Sequence, residues 1–370
     1  MKTICYLFLV TLFLYSCKSS PENEYEIKYS VINTTDTLTG RIIEFDSLIY
    51  ATNISCVDKY LILLNKNEPL FNIYQSSNDS LLCQIGSIGR AKNEFSTEAL
   101  EFVGRKDENG DILMDVQDIA LLRVVNLTSS MEQKRVIVTD VYRPKDFQIT
   151  DCNESFFIDK DHVVHYYRSR FDGTPRDANK LPSCVTLQSG KTTDTLYTNP
   201  FLITDCNEQF TGIVNITMFQ MKPDHSKFVE FGCLQDYFTI TDIATKKTII
   251  VANDNHRDFH EEVKKIVNNS SFNYAARDLK IENLSCYASD NYIFLLHDGM
   301  TTWERDDYLT TLGREIRIYD WEGNFISSFF LKENISIFAY NDVTNKFYAI
   351  ESKTDNILQY DISKYLKTKK

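Results

Sequence analysis

Between Ala51 and Gly86 the chain reads Ile54-Ser55-Cys56, then Leu61-Ile62-Leu63-Leu64, then Leu70-Phe71-Asn72-Ile73-Tyr74, then Leu81-Leu82-Cys83-Gln84-Ile85. Polar clusters, Asn65 to Pro69 and Ser76 to Ser80 among them, separate these four short apolar runs. Runs of this length bounded by turn residues are strands, and four in succession form an antiparallel meander. Only 12 Gly and 7 Pro serve the whole chain. Asn and Asp, whose side chains tolerate left-handed backbone and bond their own turns, therefore do much of the turning.

Outward from this unit the pattern repeats. Ile149-Thr150-Asp151-Cys152-Asn153-Glu154 returns as Ile203-Thr204-Asp205-Cys206-Asn207-Glu208. Asn53-Ile54-Ser55-Cys56 returns as Asn283-Leu284-Ser285-Cys286, each followed by a Tyr-initiated apolar run at Tyr60 and Tyr292. The cysteines at 56, 152, 206 and 286 fit a period of about 50 residues, which is the size of a propeller blade. Units starting near residues 56, 104, 152, 206, 286 and 336 predict an all-β fold. The expectation is a six-bladed propeller of four-stranded antiparallel blades over residues 25–363, followed by a basic tail at 364–370. The last unit has three runs, and Arg41-Ile42-Ile43-Glu44-Phe45 supplies the fourth. That N-terminal strand closes the ring and removes the edges an open array would expose.

Two excursions interrupt the pattern. Residues 256–271 place Phe259, Val263, Ile266 and Val267 at helical spacing, with Glu261 and Lys265 as an i,i+4 pair. Gly299 to Gly313 is a less regular insertion in the fifth unit.

The N-terminus predicts an address. Met1-Lys2 precedes an apolar run from Ile4 to Tyr15, too short for the roughly 20 residues that span a bilayer. It reads as a signal peptide over residues 1–16, ending in Ser16-Cys17, the pattern cut ahead of an acylated cysteine in bacterial lipoproteins. Cys17 would carry palmitate-type acyl chains, and residues 17–24 would form a polar tether. The membrane is then a partner through the lipid anchor alone. Of 9 cysteines, Cys5 in the signal and Cys17 leave seven, an odd number with no CxxC. The spacing argues against a zinc knuckle, and most of these cysteines read as small buried apolar residues.

The formal charge of −12 gives no basic footprint for nucleic acid, and 43% hydrophobic with 25% charged residues excludes a disordered chain. With the lipobox at Cys17, the glycine-containing segment Ile85-Gly86-Ser87-Ile88-Gly89-Arg90-Ala91-Lys92-Asn93-Glu94-Phe95 and the closing stretch Arg317 to Asp361, the chain resembles the TolB-like six-bladed propeller lipoproteins of Bacteroides-type bacteria. Ala91 and Lys92 stand where that family has glycine and proline. The resemblance implies the propeller and a cell-envelope address, an outer-membrane lipoprotein facing periplasm or surface. It implies no reaction.

No motif assigns a catalytic residue, a metal site or a cofactor. His256 and His260 have ligand spacing, but Arg257 occupies the place of a metalloprotease glutamate. His162 and His165 fall on opposite faces of a strand. Gly86 to Lys92 lacks the phosphate-loop pattern, and no GxSxG elbow exists. Asp298, Glu304, Asp306 and Asp307 around Trp303 have the chemistry for Ca²⁺ but match no EF-hand spacing, so they read as a solvated loop. Asn153, Glu154, Asn207 and Glu208 recur in matching contexts and are the candidate ligand-binding set, with turn closure as the plainer reading. The expected function is a binding module for a glycan, peptide or protein. The alternative is a metal-dependent hydrolase or lactonase of the six-bladed type, and the non-enzymatic reading is preferred.

Overall fold

The computed structural model describes residues 25–45, 50–96, 100–118, 121–142, 154–159, 161–167, 183–189, 192–201, 203, 214–254, 259–269, 278–301, 304 and 313–366. The signal, Cys17 and the tether lie outside the described residues, as do Asn153, Asn207, Glu208, His256 and Trp303.

Three N-terminal strands, β1 (Tyr25–Ser30), β2 (Thr37–Leu38) and β3 (Arg41–Ile42), pair only with strands distant in sequence. Four antiparallel blades follow. The first is β4 (Ala51–Val57), β5 (Tyr60–Asn65), β6 (Phe71–Gln75) and β7 (Ser80–Ile85). The second is β8 (Glu101–Lys106), β9 (Ile112–Asp118), β10 (Leu121–Asn126) and β11 (Val138–Tyr142), with helix α1 (Leu127–Gln133) before its last strand. The third is β12 (Glu154–Asp159), β13 (His162–Tyr167), β14 (Cys184–Ser189) and β15 (Thr192–Thr198). The fourth is β16 (Thr217–Met221), β17 (Lys227–Gly232), β18 (Tyr237–Asp242) and β19 (Thr248–Asn253), with β1 added in parallel to its outer edge. Helix α2 (Phe259–Asn269) comes next.

The remaining strands are β20 (Lys280–Ala288), β21 (Tyr292–Thr301), β22 (Gly313–Asp320), β23 (Phe325–Asn341), β24 (Lys346–Glu351) and β25 (Ile357–Asp361). Together with β3 and β2 they form one eight-stranded sheet. This corrects the expected six blades: four are separate, and β20 to β25 share one sheet. The cause is β23, which does not stop between units. Phe325 to Phe330 pair with β22, and Ile335 to Asn341 pair with β24. The stretch Lys332-Glu333-Asn334, where the pairing changes partner, contains neither the glycine nor the proline that would end a strand.

Each unit follows the same local logic. The middle strands are apolar on both faces: Leu61 to Leu64 and Phe347 to Ala349 are fully buried. Turns are set by side chains, as where the Asp320 carboxylate accepts from Glu322 N and Asn324 N, or Asn341 Oδ1 from Val343 N and Thr344 N. Asp58, Asp79, Asn345 and Asp355 all adopt left-handed backbone, φ 48° to 59°.

An apolar layer fills the space between consecutive units. Phe71 and Phe102 face Met114 and Val116 between the first two blades, and Phe156 and Tyr166 meet Phe219 and Phe228 between the third and fourth. The final layer sets Leu61, Leu63 and Tyr74 of the first blade against Ala339, Tyr348 and Ile350. Here β3 pairs antiparallel with β25, Ile42 opposite Leu358, so the expected N-terminal strand does complete the last unit. The Gly86 to Phe95 segment connects two blades. Gly86 sits at φ +94° against Phe71, and Phe95 is fully buried, 5.4 Å from the Phe71 ring and under Arg123. Phe259, Val263 and Ile266 of α2 pack with Ile203, Leu234 and Leu279, as their helical spacing requires. Cys56, Cys83, Cys184 and Cys286 are free thiols.

Candidate ligand site at the ends of the first strands

The first strand of each propeller unit lies toward the axis, so the turn into the second strand sits at one axial mouth. The turns after β4, β8, β16, β20 and the second half of β23 bring Asp58, Asp107, Asp224, Asp290 and Asp342 to one cavity of about 370 Å³. Two of these aspartates accept backbone N–H groups of their own turns, and Asp58 sits in left-handed backbone at φ 48°. Asp107 accepts from Asn109 N and Asp111 N, and Asp224 from Ser226 N. Asp342 takes Asp290 N at 3.2 Å and Asn291 Nδ2 at 2.7 Å, which joins two units at the rim.

Partial neutralisation leaves an acidic arc. Lys222 pairs with Asp224, and Lys106 stands 3.9 Å from Asp58. Asp107, Asp290 and Asp342 add three more carboxylates to the rim. Beneath the rim the cavity has a floor. Tyr287 of β20 donates its hydroxyl to Cys56 O of β4 at 2.9 Å and accepts from Cys56 N at 3.1 Å. Burial holds the Tyr287 and Tyr340 phenols well above their ordinary value, so both stay protonated donors. His225 Nε2 lies 3.1 Å from Asp115 Oδ2, to which Arg105 Nε of the cavity lining donates at 3.1 Å. That buried set ties the turn before β17 to β9. A floored, acidic bowl of this kind takes a cationic group rather than passing one through.

Of the candidate set read from sequence, Glu154 alone is among the described residues. Glu154 is partly buried at the start of β12, opposite Tyr166, at the far end of that strand from its turn at Asp159 to His162. It is neither at this mouth nor in a hairpin turn. Asn153, Asn207 and Glu208 are outside the described residues. The other repeat has a clear structural role. Asn53 Nδ2 reaches Leu100 O, and Asn283 Nδ2 reaches Gly232 O and Gln235 O, so each asparagine clasps its strand to another unit. His165 is buried against Ser155 and Gln188, while exposed His162 bonds Asp159. Among the described residues, no three His, Cys, Asp or Glu side chains are placed to share a metal ion. The aspartates of the mouth went unread because units were aligned on cysteines; alignment on the ends of first strands brings them into register.

No protein-family model matches the chain, and no curated protein matches it. Among solved structures, a Bacteroides fragilis protein described as exported shares 11% identity over 90% of this chain and 98% of its own, with a TM-score of 0.50. The calcium-binding protein regucalcin of Agrobacterium tumefaciens shares 9% identity over 89% and 95%, TM-score 0.45. The β-propeller domain of Cps50 (Swd1) from Myceliophteria thermophila shares 9% over 87% and 99%, TM-score 0.41. The likeness is one of fold.

Proposed function

We propose that this chain is an exported lipoprotein, held to the outer membrane by acyl chains on Cys17, whose propeller binds a cationic segment of a peptide or protein at the acidic mouth. The observation that carries the reading is the convergence of first turns from five units on one floored cavity, with Asp290 and Asp342 linked at its rim. We take the eight-stranded sheet as two blades joined through β23, giving six units of the TolB-like kind. The change of partner along β23, from β22 to β24, and the apolar layer between its second half and the first blade support that count. Export rests on the apolar run Ile4 to Tyr15 and on Ser16-Cys17. A hydrolase or lactonase would need several axial carboxylates sharing a metal, and no described group offers that.

Tetralysine titrated by fluorescence anisotropy tests the mouth. Binding is expected to weaken as salt rises, and to weaken about tenfold in Asp58→Asn with Asp290→Asn, substitutions that keep turn chemistry. Affinity unchanged by both would end the reading. The anchor is tested separately: Cys17→Ser is expected to move the protein out of the detergent phase, and unchanged partition would refute acylation.

A further inference from the structure

At the end of the fifth unit away from the mouth, a second cavity of about 850 Å³ opens over a floor of buried polar side chains. His297 and Glu315 face each other across β21 and β22. They are 9% and 7% exposed, and His297 Nε2 lies 3.7 Å from Glu315 Oε2. Glu282, turned toward the ring by a bulge in β20, lies 3.5 Å from Nδ1. Arg317 donates from Nε at 3.0 Å and Nη2 at 2.8 Å to Glu315 Oε2, and Thr34 bonds Oε1. The carboxylate is thus fixed in orientation before any ligand arrives. Gly299, at φ +70°, folds the strand end over the imidazole, where a Cβ would stand 2.8 Å from Nε2. Only glycine fits that conformation and that approach.

The walls define the ligand. Met300 and Phe330 are 39% and 37% exposed and offer one apolar shelf. Apart from these and buried Leu331, the lining side chains are polar, which excludes an acyl chain that would need an apolar wall along its length. The three lining carboxylates are already engaged: Glu315 with Arg317 and Thr34, Glu304 with Thr301 N at 2.8 Å, and Asp298, which is not free either. The cations are not: Lys332 and Lys353 form no ion pair with a described residue, in a chain whose net charge is −12. Arg314, held by Asn334 at 2.6 Å, adds a planar donor beside them.

We propose that this cavity binds an acidic saccharide. A sugar ring lays its C–H face on Phe330 and Met300 and its hydroxyls against Glu315, His297 and Asn334. Its carboxylate pairs with Lys332 and Lys353. This site does not depend on the acidic mouth, which selects the opposite charge.

The test is calorimetric titration of the protein with trigalacturonate, with neutral galactotriose and triglutamate as comparators. Trigalacturonate is expected to bind one to one, at least about tenfold more tightly than either comparator. Lys332→Glu with Lys353→Glu, both on the surface, should lower that affinity about tenfold or more while leaving Tm and tetralysine binding unchanged. Phe330→Ala should weaken both sugars together. Equal binding of galactotriose, preference for triglutamate, absence of trigalacturonate binding or indifference to the charge reversal would each overturn the proposal. The tetralysine readout separates such a failure from failure of the mouth.

Discussion

Glu230 sits in the second strand of the fourth blade, 2% exposed, beside Ser183, Tyr197 and Thr217. Burial raises its carboxyl above the ordinary 4.5, with those three hydroxyls offsetting part of the penalty. The folded protein therefore keeps a proton that the unfolded chain releases. Stability from this group is complete below about pH 4.5 and is lost as pH rises toward the higher value of the folded state. Glu230→Gln keeps the hydrogen-bonding shape without the charge. Thermal melts should show the variant equal to the parent near pH 4 and more stable at pH 8, by at least about 1 °C. Parallel pH profiles would refute the buried proton. Residue-level chemistry was only partly legible. The Asn53 and Asn283 repeat was visible as a pattern, yet its purpose needs Leu100 O and Gly232 O, which only the fold brings near. His297 gave no signal, because Glu282 and Glu315 reach it through strand pairing and a bulge rather than through spacing.

Elements were read more fully, since periodicity is local and pairing is not. The meander from Ala51 to Ile85 and the hairpin around Trp321 to Asn324 formed as their apolar runs required. So did α2, whose apolar stripe is long enough to register. Helix α1, seven residues capped by Asn126, is too short for its period to stand out. The parallel addition of β1 to β19 left no trace in sequence, because a strand that joins a distant edge carries no turn that names its partner. The three N-terminal strands also make a prediction. β3 covers β25, Ile43 is buried, and the Phe45 ring lies tilted against Tyr74, 4.5 Å between centroids. Deleting residues 25–45 would bare the β25 and β19 edges and open the last apolar layer. A fall in Tm of about 10 °C or more is expected, and an unchanged melt would show that these strands do not hold the molecule closed.

For the whole molecule, a period of about 50 residues identified the propeller without its sheet count. Sequence periodicity reports units, whereas hydrogen bonding reports sheets, and Phe325 to Asn341 makes the two differ by running unbroken from one unit into the next. The same architecture places two cavities at opposite ends of the fifth unit: one lined by five aspartates where first strands end, and a cleft lined by both carboxylates and cations where they begin. The account turns on the bowl being where a cationic partner is held. Hydrogen exchange of the protein with and without tetralysine tests this directly. Slowed exchange should appear in the turns at 57–59, 106–111, 222–226, 288–292 and 341–344, and nowhere else. Protection that falls outside these turns, or none at concentrations that saturate the anisotropy signal, would contradict it.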